Sequence, residues 1–288
     1  MSLRPSSQKV GTVTALVCMA SRKRFVLVES GTELDLLRPH VRGRAQIEDM
    51  SGRPNVQEAW RILDSRGKRN FLAMVDADFD EVVGRNRAAT RLVYVSVADN
   101  RRDSTIDLEA ALIQTRALQD LCETVIGEPL VRLGGPIRFT QQVREATRQA
   151  AAAVGAFRAA VMDVFEDRGS IQGIGELTGD EWVAVVDAET GAVNRQALED
   201  VVQSRVRNVL KYPDVRQRAS DFERNEGNGW LLCRGHDMTE ILALRFSRLT
   251  GKQMTRVAVE KVLCSNYRGD LLTETAFGAK LEEFCGVG

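Results

Sequence analysis

Short apolar runs alternating with amphipathic stretches set the frame of the first half of this chain. "RFVLVES" (24–30) is rich in β-branched residues and reads as a strand, and Gly31 after it allows a sharp turn. Thr32 and Asp35 stand at capping-box spacing, which predicts a helix across "TELDLLRPH". In "GRPNVQEAWRILDSRG" (52–67), Val56, Ala59, Trp60 and Leu63 recur at helical spacing and form one apolar face. Asn55 is its cap candidate, with Glu58 three residues on, and Gly67 ends it. "FLAMV" (71–75) is a second strand, followed by a crossover rich in Asn and Arg and by "RLVYVSV" (91–97) as a third. "STIDLEAALIQTRALQDLCETVIG" (104–127) has a helical pattern, with Leu108, Ala111, Leu112 and Thr115 on one face. Strands alternating with helices over 12–127 predict a mostly parallel sheet.

The texture changes after "GEPLVRLGGP". Residues 140–169 read as one long Ala-rich helix, "EWVAVVDAETG" (181–191) as an isolated strand or hairpin, and 194–210, 236–250 and 255–265 as further helices. The expected fold class is therefore α/β. A polar N-terminal tail (1–11) leads into an α/β domain with flanking helices (12–130), and a mainly helical C-terminal domain (131–288) follows.

The chemistry enters where "FLAMV" runs into acids. In "FLAMVDADFD" (71–80), Asp76 and Asp78 alternate on an extended chain and so face the same way. Two adjacent carboxylates repel unless a cation lies between them, and hard oxygen ligands favour Mg2+ or Mn2+. Glu29 ends the first strand. If the first two strands are neighbours, Glu29, Asp76 and Asp78 meet at one sheet edge and can hold a divalent ion with positions open for phosphate oxygens and water. Glu29 could equally pair with an Arg, and Asp76 and Asp78 could form a solvated strand end. Asp80 reads as a solvated loop residue and Asp35 as a capping acid.

Composition narrows the choice. The 40 basic and 40 acidic residues cancel, so the whole chain is not a general polyanion binder. Five cysteines, an odd count without a Cys-x-x-Cys pair, argue against a disulfide framework or zinc knuckle and for a reducing cytoplasm. Only His40 and His236 are present, which excludes a histidine-rich metal site. No apolar stretch approaches a membrane span, and the N-terminus lacks the core of a signal peptide.

These residues also carry a resemblance. "VLVESGTELDLL" is similar to the Glu-Gly-x-x-Asp opening of the Toprim domain, with Ser30 placed before Gly31, and "MVDADFD" is similar to its Asp-x-Asp strand. In order and spacing these segments, with "STIDLEAAL", "GAFRAAV" and "CRGHDMTEILAL", resemble the DUF4435 family of Toprim-like proteins over most of the chain. The nuclease subunit of the PARIS anti-phage system is that family's best-known member type. The resemblance implies a Toprim-like magnesium site in which Glu29, Asp76 and Asp78 are catalytic, phosphodiester chemistry on nucleic acid (DNA or RNA, tRNA included), and an ATPase partner. It makes Asp107 and Glu109 a further acidic pair, with Glu109 joining the metal ligands.

Each of these has a plainer reading. Asp107 lies three residues after Ser104, as a capping acid would, and Glu109 sits where acids suit a helix dipole. His236 in "RGHD" could meet phosphate or relay a proton, or be structural. Arg101 and Arg102 could contact a nucleic-acid backbone, or be solvated. Asp187 and Glu189 of "VVDAETG" echo the Asp-x-Asp pattern but suit a turn closed by Gly191. The helical half is expected to bind a partner or to form a homodimer.

Two rivals remain for the function: a non-catalytic Toprim-like module regulating a partner ATPase, and a nucleotide-sugar glycosyltransferase using Asp-x-Asp. A haloacid-dehalogenase phosphatase would have Thr or Val where Phe79 stands. A calcium loop would need Gly at Glu81 and an acid at Arg87.

Overall fold

The computed structural model describes residues 7–20, 22–41, 43–76, 79, 82–83, 92–95, 107–127, 130, 133–165, 174–206, 211–225, 229–267 and 276–286. The chain divides into two compact units, each assembled from segments distant in sequence.

One unit comprises Ser2–Ala77, Asn86–Asn100 and Arg268–Gly288. Its core is a four-stranded parallel sheet of β1 (Phe25–Val28), β2 (Gln46–Asp49), β3 (Phe71–Asp76) and β4 (Leu92–Val95), in the order β2-β1-β3-β4. The small parallel sheet of an α/β fold is thus present. β2 escaped the sequence reading because "QIED" lies at the sheet edge and carries one apolar residue, so no apolar run marks it.

Side chains alternate across a sheet. Phe25 and Leu27 of β1 share a face with Phe71, Ala73 and Val75 of β3, and this face is covered by Val10, Val13 and Val17 of α1 (Ser7–Met19) and Val56, Ala59 and Leu63 of α3 (Arg53–Ser65). Residues 7–11 therefore belong to a packed helix and not to a polar tail, because Val10, Val13 and Val17 fall on one helix face and are buried. The apolar stripe expected at 56–63 is the buried face of α3.

Both predicted caps move. α2 (Gly31–Val41) begins before Thr32: the Ser30 hydroxyl accepts the Thr32 N–H at 3.2 Å and donates to the Glu33 carboxylate. Ser30 and Glu33 thus take the positions assigned to Thr32 and Asp35. α3 starts at a Gly52 cap with Pro54 in its first turn, while Asn55 is buried and donates to the Met50 and Ser51 carbonyls.

The other unit comprises Met1, Asp78–Arg85 and Arg101–Tyr267, and in its described residues it is helical. The helical pattern at 104–127 is two helices, α4 (Leu108–Gln114) and α5 (Arg116–Ile126), broken where Thr115 turns extended and caps the second. They pack with the helices of this unit: α6 (Pro136–Val164), α10 (Gly235–Thr250) and α11 (Arg256–Asn266). "EWVAVV" is not a strand. A capping box between Thr178 and Glu181 starts α7 (Gly179–Val185), and only Val186 bridges to Val193 around a turn where Gly191 adopts φ +77°. α8 (Arg195–Arg205) and α9 (Tyr212–Arg224) follow, the latter burying Val215, Ala219 and Phe222. The last helix, α12 (Ala276–Cys285), belongs to the sheet unit. No described helix is long and apolar enough to cross a membrane.

Candidate functional site

In a parallel sheet, ligands gather beyond the carboxyl ends of the strands where neighbouring connections diverge. Here the chain leaves β1 for β2 on one side and returns to place β3 on the other, so that point lies between β1 and β3. Glu29 stands one residue past β1 and Asp76 ends β3. The Asp76 backbone N–H donates to Glu29 Oε1 at 2.9 Å. The two strands are hydrogen-bonded neighbours, as the sequence reading required, and the contact between Glu29 and Asp76 runs through the Asp76 backbone.

Two further acids join this edge. β1 and β2 pair Val28 with Asp49, so Asp49 ends its strand beside Glu29. Its Oδ1 accepts the Ser51 N–H at 2.6 Å and stands 3.8 Å from Lys9 Nζ. Glu33, in the first turn of α2, is only 7% exposed. Burial raises its pKa, Asp49 adds to the rise, and bonds with Ser30 oppose it. Neither acid was singled out in the sequence: Glu33 reads as one more helix-start acid, and Asp49 lies on the strand that the pattern missed. Glu33 and Asp49 add negative charge near this edge, partly offset by Lys9, but among the described residues no three of these acids bring ligand atoms within 4.8 Å of one another. Asp78, Asp80, Arg101 and Arg102 lie outside the described residues.

The helical unit holds the remaining candidates. Asp107 is the N-cap of α4, 4% exposed, with Oδ1 accepting the Ala110 N–H at 2.9 Å and Oδ2 accepting the Gly235 N–H. One carboxylate thereby caps the starts of two helices, α4 and α10, which accounts for Asp107 without a metal. Glu109 projects from the same turn of α4 toward His236 of α10 and Glu260 of α11. One donor atom of each lies within 4.8 Å of the others, a set able to hold a metal ion. His236 Nδ1 is 3.3 Å from Glu260 Oε1. The Glu260 contact and the Glu109 charge raise the His236 pKa against the effect of burial. For Glu260, burial pushes upward but is outweighed by His236 and Arg256, so its pKa falls. Sequence reasoning missed Glu260, a mid-helix acid buried with Val259 and Leu263, because nothing in its local pattern distinguishes it from a solvated helix acid.

Asp187 behaves as the turn residue expected, accepting from the Thr190 N–H and hydroxyl at 2.7 Å. All five cysteines are free. Burial pushes the Cys122 thiol to about 11 and Cys233 higher still, so neither is a thiolate at neutral pH.

No protein family, curated protein or solved structure matches this chain.

Proposed function

We propose that this chain is a metal-dependent nuclease whose Toprim-like acidic site lies at the carboxyl edge of the sheet. The observation that carries the reading is the meeting of Glu29 and Asp76 at the divergence point between β1 and β3. In this reading Glu29, Asp76 and Asp78 hold Mg2+ or Mn2+, which polarises the scissile phosphodiester and lowers the pKa of bound water. Glu33 and Asp49 add negative potential around the ion. The substrate is nucleic acid, DNA or RNA, and the resemblance to DUF4435 proteins supports an ATPase partner and a role in anti-phage defence in the cytoplasm.

The test is Mg2+- or Mn2+-dependent cleavage of plasmid, single-stranded DNA and tRNA by the full chain, alone and with its partner ATPase. Glu29→Gln and Asp76→Asn serve as controls. Cleavage that both substitutions abolish is the expected result. Cleavage that survives them, or none with any metal, would favour a regulatory binding module instead.

A further inference from the structure

Glu109, His236 and Glu260 come from three helices; the resemblance counts Glu109 among the Toprim metal ligands, and the structure groups it with His236 and Glu260. Glu109 and Glu260 are 6% and 7% exposed. Two buried carboxylates this close call for positive charge between them, which the His236 imidazolium supplies in the metal-free chain and a bound cation would supply in its place. Arg256 approaches Glu260 at 3.6 Å, but it also serves Glu176 at 3.7 Å and Glu240 at 3.8 Å.

We propose that Glu109, His236 and Glu260 form a binding site for one divalent transition ion of the zinc class. The imidazole decides the class. Magnesium and calcium take oxygen ligands, whereas an imidazole beside carboxylates suits zinc, manganese or iron, among which affinity favours zinc. Zinc bound at about 2.0–2.1 Å to each donor places tetrahedral donors about 3.3 Å apart. The His236–Glu260 pair is already separated by 3.3 Å. Three protein ligands leave a coordination position for water.

A second observation supports a built site: the residues on both sides of His236 are anchored. The Gly235 N–H is held by Asp107, and the Asp237 carboxylate is held by Arg158 at 2.8 and 2.9 Å. A side chain at Gly235 would stand 2.4 Å from Asp107 Oδ1 and 2.5 Å from Glu109 Cβ, so glycine lets α10 approach closely enough to present His236 to Glu109. Thr239 Oγ1 donates to Glu260 Oε1 at 3.1 Å, the outer-shell contact that orients a ligating carboxylate. Ligands fixed before binding are what a specific metal site requires.

Zinc itself is the probe. The full chain is stripped with chelator, equilibrated with Zn2+, and assayed for bound metal and thermal unfolding, alongside Glu29→Gln alone and combined with His236→Ala or Glu260→Gln. The expected result is a raised Tm and, in Glu29→Gln, where the sheet-edge carboxylate set is broken, one zinc per chain whose affinity falls at least about tenfold when His236→Ala or Glu260→Gln is added. Co2+ in the wild type should show nitrogen and oxygen ligation without a thiolate charge-transfer band, a readout that stands even where a variant fails to fold. No zinc on folded Glu29→Gln, affinity unchanged when His236→Ala or Glu260→Gln is added to it, or a thiolate band overturns the proposal. Nuclease activity lost only through Glu29 and Asp76 bears on the sheet edge alone, so the two readings fail separately.

Discussion

Arg158 grips Asp237 through two N–H···O bonds of 2.8 and 2.9 Å, with side chains only 8% and 4% exposed. This pair joins "GAFRAAV" to "CRGHDM", segments 79 residues apart. A third segment, "STIDLEAAL", meets the same helix start through Asp107 and Gly235. Three segments far apart in sequence therefore converge on the first turn of α10. Removing one partner of a buried ion pair strands the other charge, which costs about 3–5 kcal/mol. Arg158→Met or Asp237→Asn alone should lower unfolding stability by that order in urea titrations. The double variant should lose less than the sum.

Gly155 faces the Leu232 carbonyl so closely that an added Cβ would stand 1.7 Å from the oxygen. That neighbour is backbone and cannot rotate away. Gly155→Ala should therefore destabilise the protein by at least about 1–3 kcal/mol, although alanine is the better helix former. A thermal melt showing equal or greater stability would refute the close packing of α6 against this segment.

Glu33 gives the sheet edge a pH signature. Its pKa in the fold is raised, chiefly by burial. The folded state then holds the proton more tightly than the unfolded chain does. Stability from this group is complete below the ordinary glutamate value of about 4.3. It is lost as pH rises through the elevated folded value. Urea melts from acid to neutral pH should show wild-type stability declining relative to Glu33→Gln over that window. A difference independent of pH would contradict the raised value.

Divalent metal should offset the repulsion along that edge. In the wild type, Mg2+ or Mn2+ at about 100 times its dissociation constant should add about 2.7 kcal/mol to stability. Asp76→Asn and Glu29→Gln should lose most of that gain and at least about 100-fold of any cleavage rate. Differential scanning fluorimetry with and without metal checks the first effect, and a cleavage assay the second.

Local pattern alone determined the strands β1, β3 and β4, the apolar face of α3 and the long helix α6, because hydrophobic period and length are written residue by residue. It also placed Glu29 and Asp76 at strand ends. Only the tertiary structure decided that β1 and β3 are neighbours and that the missed strand β2 brings Asp49 alongside. It also decided that Ser30 caps α2, that α4 and α5 pack with the helical unit, and that Glu109 groups with His236 and Glu260. The reason is physical: strand order, buried ion pairs and helix junctions depend on contacts between residues tens of positions apart. Arg158 with Asp237 and Glu109 with Glu260 carry no mark in their own neighbourhoods of the partner that folding supplies.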